Sequence, residues 1–301
     1  MRLDPHVHTS FSGRTSLYPL KHLLRESYNS PEGVYRLAKE RGMDLVAITD
    51  HDTIDGALTL ADREDVIVGC EVTAAFPDDG VRVHLCVLDI NEVQYHQIER
   101  LRANVRELLP YLKREEIFTT LNHVASAING RITADHIATL VPWIDAIEVR
   151  NGSRLPAQNR TAAALAAATR KVPIGASDSH ARHSIGRTFV DVPHARTREE
   201  FMAGLRAGRV VVHGRDGSYM RLAADIVQIA ASFYGERFQM LARSPGKWRN
   251  HAVAVGAVVG LPLLALPFLA AFAHFVLEDR FNQSLLFDLV ARPATRSIDA
   301  A

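Results

Sequence analysis

The chain has 301 residues, 47% of them hydrophobic and 23% charged, so a disulfide-stapled miniprotein, a collagen-like repeat and global disorder are excluded. Lys and Arg number 35 against 34 Asp and Glu, a balance that argues against a nucleic-acid-coating protein. Two cysteines, Cys70 and Cys86, cannot form a disulfide scaffold and read as buried thiols of a reducing compartment; the 14 histidines are the informative excess.

The N-terminus, MRLDPHVHTS, lacks a basic-then-apolar run, so no secretory signal peptide is expected. From there to about residue 215, short β-rich runs alternate with helical patterns. Strands are predicted over Val7–His8, Asp44–Asp50, Val66–Val72, Val83–Ile90, Phe118–Asn122, Asp145–Val149, Val172–Ser177 and Arg209–His213. Ser30 caps a helix that has Pro31 in its first turn and stops at Gly42. The apolar spacing from Val93 to Leu112 predicts one helix over Asn91–Lys113; further helices are expected over Ala157–Lys171 and Thr197–Ala207. This alternation predicts an α/β domain with a mainly parallel sheet, open or closed into a barrel.

Leu222, Ile226, Ile229, Ala230 and Phe233 predict an amphipathic helix that packs on the body or lies on a membrane surface. Ala252–Leu277 then runs 26 residues without Asp, Glu, Lys or Arg. At ~1.5 Å per residue that is roughly 39 Å, against about 30 Å of hydrocarbon. A transmembrane helix is the favoured reading; a buried or interfacial hairpin broken at Gly260-Leu261-Pro262 is the other. Arg237, Arg243, Lys247 and Arg249 precede the stretch and Glu278 and Asp279 follow it, which places the body on the cytoplasmic face of the cell membrane. The expected division is an α/β domain over 1–216, an amphipathic helical region over 217–250, a probable span over 251–277 and a tail over 278–301.

The chemistry lies at strand ends. His6 and His8 share one face of a strand, though such a pair is often incidental. An apolar strand runs into Asp50-His51-Asp52-Thr53, where Asp52 or Thr53 also suits a helix cap. Glu71 sits within an apolar strand and needs a cation or strong donors. His84 opens one strand, Asn122-His123 closes another, and Asp178 and His180 form a second same-face pair. Eight ligands exceed one tetrahedral zinc; they suit two or three divalent ions bridged by Glu71. Nitrogen and oxygen donors without thiolate favour zinc, manganese or iron.

In their order, His6-x-His8-Thr9, Thr49-Asp50-His51-Asp52-Thr53, Gly69-Cys70-Glu71, His84, Asn122-His123 and Ser177-Asp178-Ser179-His180 resemble the PHP (polymerase and histidinol phosphatase) superfamily, and Gly186-Arg187-Thr188 extends the match. The resemblance implies a distorted (β/α)7 barrel with a two- or three-metal site that hydrolyses phosphate esters. By position, His6, His8, Glu71 and Asp178 correspond to the ligands of one ion. Glu71, His84 and His123 correspond to those of a second, and His51 and His180 to two of a third.

One position departs from the family pattern. The Asp or His expected shortly after H-x-H falls on Gly13 or Arg14. Either Arg14 supplies the missing positive charge and binds substrate phosphate, or the third site is weakened and Arg14 is a solvated loop residue. Arg150, Arg154 and Arg187 are further phosphate-binding candidates, His183 could reach the site, and His51 or His180 could protonate a leaving group. The expected function is metal-dependent hydrolysis of a phosphomonoester or phosphodiester; the alternative is a non-catalytic metal-binding or regulatory domain on a membrane. The expected partners are a small phosphorylated substrate, of the nucleotide or sugar phosphate class, and the membrane through the C-terminal helix, with no strong nucleic-acid signal.

Overall fold

The structure is a computed structural model that describes residues 1–14, 24–127, 131–248, 251, 255 and 265–291. Its strands are β1 (Arg2–Leu3), β2 (Val46–Ile48), β3 (Val66–Ala75), β4 (Arg82–Leu88), β5 (Phe118–Leu121), β6 (Ala146–Asn151), β7 (Val172–Ala176), β8 (Phe189–Asp191) and β9 (Val211–His213). Its helices are α1 (Pro31–Glu40), α2 (Asp55–Leu58), α3 (Glu92–Leu101), α4 (Val105–Arg114), α5 (Ala134–Leu140), α6 (Pro156–Thr169), α7 (Arg198–Arg206), α8 (Tyr219–Arg243) and α9 (Ala265–Ala291).

β2 to β7 form one curled sheet in sequence order, and β1, β8 and β9 form a small antiparallel sheet beside it. The segment around Val7 bridges the two edges of the large sheet. Thr49 N–H donates to Val7 O at 3.0 Å, and His8 N–H donates to Ser179 O at 3.0 Å. The expected barrel is therefore a half-barrel sheet whose seam is held by backbone bonds around one short segment. The sheet is less parallel than predicted. β4 runs antiparallel to both β3 and β5, because the short turn from Phe76 to Val81 leaves no room for a crossover helix.

Alternation along the strands explains the layout. Cys70, Val72 and Ala74 of β3 and Val83, Leu85 and Val87 of β4 face the core beneath the helices. The opposite face begins with Ile67, Leu88, Phe118, Ala146 and Ile174, which plug the sheet's concavity. Two or four residues further along the same face come Glu71, His84, Glu148 and Asp178. One end of the interior is thus an apolar plug and the other a polar pocket.

The single helix expected over Asn91–Lys113 is two. Asn104 breaks it by accepting a hydrogen bond from Arg106 N–H and capping α4. The amphipathic helix expected after residue 217 is α8. Its Asp225 carboxylate lies 3.3 Å from His183 Nδ1 and accepts from the Ser184 hydroxyl at 3.1 Å. Burial pushes the Asp225 carboxyl up from 3.8 to about 6, against the pull of His183. A carboxyl raised on docking stabilises the docked state while protonated. That contribution is complete below about pH 4 and is lost as pH rises through about 6. Proteolysis of α8 is expected to be faster at pH 7.5 than at pH 5, after correction for protease activity, and Asp225→Asn is expected to flatten the difference.

Among the described residues no helix is long and apolar enough to cross a membrane. Positions 252–254 and 256–264 of the expected span lie outside the described residues. From Ala265 the chain is α9, whose later half docks on the domain with Glu278, Phe281, Asn282 and Leu285 buried. Residues 278–291, expected as part of a tail, are helix; 292–301 lie outside the described residues.

Candidate metal centre

Glu71 is the hub. It is fully buried, and its carboxylate faces imidazole nitrogens on both oxygens. Oε1 lies 3.1 Å from His84 Nδ1 and 3.1 Å from His123 Nε2. Oε2 lies 3.1 Å from His6 Nε2, 3.3 Å from His8 Nε2 and 3.1 Å from His51 Nδ1. Asp178 Oδ1 approaches His6 Nε2 at 3.5 Å, His8 Nε2 at 3.6 Å and His180 Nδ1 at 3.6 Å. Residues scattered from position 6 to position 180 therefore converge in one pocket.

The donor set fits divalent ions. His6 Nε2, His8 Nε2 and Glu71 Oε2 are buried without a hydrogen-bond partner, an arrangement that is costly unless a cation completes it. Ligands at about 2.0–2.1 Å from a tetrahedral ion lie roughly 3.3 Å from one another, close to the separations above. Four triplets bring their ligand atoms within 4.8 Å of one another: His6-His8-Glu71, His6-His123-Asp178, His51-Glu71-His84 and His8-His51-His180.

Residues behind the ligands set their tautomers. His6 Nδ1 bonds Glu148 Oε1 at 2.9 Å. His8 Nδ1 faces the Ser12 hydroxyl at 3.1 Å, and that hydroxyl donates to Asp50 Oδ1 at 2.6 Å. Ser12 therefore accepts from His8 Nδ1–H, and both rings turn Nε2 toward Glu71. Asp50 also accepts from Thr9 N–H at 2.6 Å and from the Thr9 hydroxyl at 2.7 Å. Asn122 Nδ2 donates to Glu71 Oε1 at 2.9 Å. Asn151 Nδ2 and Arg154 Nη2 each donate to Asp178 Oδ2 at 3.1 Å.

Gly56 of α2 packs against this support. A Cβ there would overlap Asp50 Oδ2 and sit 2.8 Å from Thr9 Oγ1. Gly56→Ala should displace Asp50, release Ser12 from His8 and cost about 1–3 kcal/mol of stability. Zinc titration should show affinity down by about tenfold or more, read beside a thermal melt.

Charge follows the geometry. Burial opposes a charge on His6 and His8, but Glu71 and Asp178 outweigh it, holding His6 well above its ordinary value and His8 at about 9. Burial likewise opposes ionisation of Glu71, yet the surrounding imidazoles hold it well below the carboxylate range. Ions entering the pocket would displace protons from His6 and His8. His51 is pushed far down and His180 to about 3, by burial first and then by neighbouring histidines.

The pocket opens into a cleft of about 690 Å³, lined in part by Arg14, Glu26, Arg82, Arg102, Arg154 and His180. Arg14 and Arg154 both line the cleft. Arg150 and Arg187 are not among the lining residues. Arg150 follows a register shift in β6, donates to Gly214 O at 3.4 Å and lies 3.8 Å from Asp216. Arg187 is exposed. His183 faces α8 rather than the metal pocket. Glu26, absent from the sequence reading, places Oε2 3.1 Å from His51 Nε2. It offers the carboxylate that the H-x-H loop lacks.

Residues 156–210 match the family model described as PHP-associated. A two-domain protein of Bacteroides vulgatus, described as containing a predicted PHP-like metal-dependent phosphoesterase, superposes with a TM-score of 0.50 at 18% identity over 71% of this chain and 65% of its own. A lesion-specific endonuclease of Pyrococcus furiosus aligns with a TM-score of 0.47 at 15% identity over 70% of this chain and 57% of its own. An uncharacterized protein of Methanocaldococcus jannaschii, MJ1587, is 35% identical over 77 residues, 24% of this chain and 44% of that protein. The chain thus spans less than two thirds of the length of that curated relative and of the Bacteroides protein. Fold and site define an α/β half-barrel built around a histidine-carboxylate centre. Residues 156–210 carry the PHP-associated match, and the fold is the one seen in the PHP-like Bacteroides protein.

Proposed function

We propose that the chain hydrolyses phosphate esters with divalent ions held by this pocket. The observation that carries the reading is the buried Glu71 carboxylate ringed by imidazoles, with three buried ligand atoms left unpartnered. His6, His8, Glu71 and Asp178 would hold one ion, and Glu71, His84 and His123 a second. His51 and His180, with Glu26 beside His51, form the place for a third. Zinc, manganese or iron bound there polarises phosphoryl oxygens and lowers the pKa of water.

Arg154 holds Asp178 and faces the cleft, where its guanidinium can also meet a nonbridging phosphate oxygen. Arg14, at the same cleft, offers a second cationic contact. The volume and the arginines suit a small phosphorylated compound of the nucleotide or sugar phosphate class. The test is phosphate or p-nitrophenol release from a monoester and diester panel by chelator-stripped protein reloaded with zinc or manganese. Activity should require metal and vanish in His6→Ala and Asp178→Ala; turnover without metal, or undiminished in both variants, would overturn the reading.

A further inference from the structure

His123 is held in an unusual way. Its φ is 29°, in the left-handed region, and it stands two residues past the end of β5. Such a backbone persists only where its surroundings over-determine it. One anchor is local, Ser126 N–H donating to His123 O at 2.9 Å, and one comes from the neighbouring strand β6, where Glu148 Oε2 accepts from His123 N–H at 2.9 Å. The rest come from far along the chain. Gln158 of α6 donates through Nε2 to Ala125 O at 3.2 Å and to Glu278 Oε2 at 2.7 Å. Ala127 N–H donates to the Glu278 carboxylate, 3.2 Å from Oε1 and 3.1 Å from Oε2.

Glu278 is 5% exposed, a carboxylate buried where it serves loop and helix donors alike. Its helix is tied to both α6 and α5. Asn282 Oδ1 accepts from the Thr161 hydroxyl at 2.7 Å, and Asp288 Oδ2 accepts from Ala134 N–H at 2.8 Å, at the start of α5.

We propose that Glu278 is a positioning residue for the metal centre, holding the His123 loop through Ala127 N–H and Gln158 so that the imidazole meets Glu71. The inference rests on the phosphoesterase reading, since it assigns Glu278 to the ion shared by Glu71, His84 and His123. The C-terminal helix is then part of the site's support.

The test is calorimetric titration of zinc into chelator-stripped full-length protein. Wild type should take at least two equivalents. Glu278→Ala should weaken one equivalent about 10–100-fold, as loss of a group supporting a ligand does, and leave the other near wild type. Leu285→Ala, which removes buried apolar contact from the same helix, should lower the melting temperature but keep both affinities. If Glu278→Ala does not fold, Glu278→Gln replaces it; its amide would face that of Gln158, and the same equivalent should weaken. Unchanged zinc affinity in the folded Glu278 variant, or an equal loss in Leu285→Ala, would overturn this inference alone. A wild-type chain that takes up no zinc would overturn the phosphoesterase reading and this inference with it.

Discussion

Glu71→Gln should leave a folded protein that no longer holds its ions. The side chain keeps its size, so the packing of β3 against β4 survives. The chemistry changes on both oxygens. One becomes an amide nitrogen that presents hydrogens to imidazoles, and the other loses the charge shared by His6, His8, His51, His84 and His123. Loss of a group behind a ligand costs about 10–100-fold in affinity or activity. Loss of the shared carboxylate should exceed that, because it affects more than one ion at once. Zinc titration and turnover should both collapse while circular dichroism stays near wild type. Retention of two tight equivalents would show that Glu71 is a packing residue.

Returning zinc to stripped protein should raise its melting temperature sharply. A ligand that binds only the folded state at about 1,000 times its Kd adds about 4.1 kcal/mol per site. For a chain of this size each kcal/mol moves the melting temperature by roughly 2–4 °C, so one saturated site gives a rise of roughly 8–16 °C. Excess chelator should reverse it. His6→Ala, which removes a donor facing Glu71 Oε2, should reduce the rise. A rise that survives this change would place the stabilising ion elsewhere.

Most residues that converge on the pocket were legible because they stand at the polar end of an otherwise apolar strand, and Glu71 because it is a carboxylate within one. Even the apparent exception, His84 at the start of its strand, follows from β4 running backwards in the sheet. The groups behind them were less visible. Glu148 lies within Ala146–Asn151, but only the fold shows that its carboxylate meets His6 and the His123 amide. Arg150 shares its strand parity, and the register shift between the two sends it to Asp216.

The break between α3 and α4 is masked because Ile98, Leu101, Val105 and Leu108 keep helical spacing straight through it. Glu278 read as the acidic flank of an apolar stretch. Its burial depends on α6 and the His123 loop, 120 and 151 residues away, a proximity that no local pattern encodes.

The seam at Val7 has a consequence for how the molecule comes into being. The N-terminal ligands depend on partners synthesised far later; Asp4 alone waits for Ser177, 173 residues downstream. Pairing over such separations is slow, because a long loop must close before any contact rewards it. A growing chain thus emerges from the ribosome with His6 and His8 loose and without their carboxylate neighbours. Ion binding is then expected to follow that closure, and slow quench of a zinc-sensitive dye during refolding would report it; quench complete before the seam forms would overturn that order.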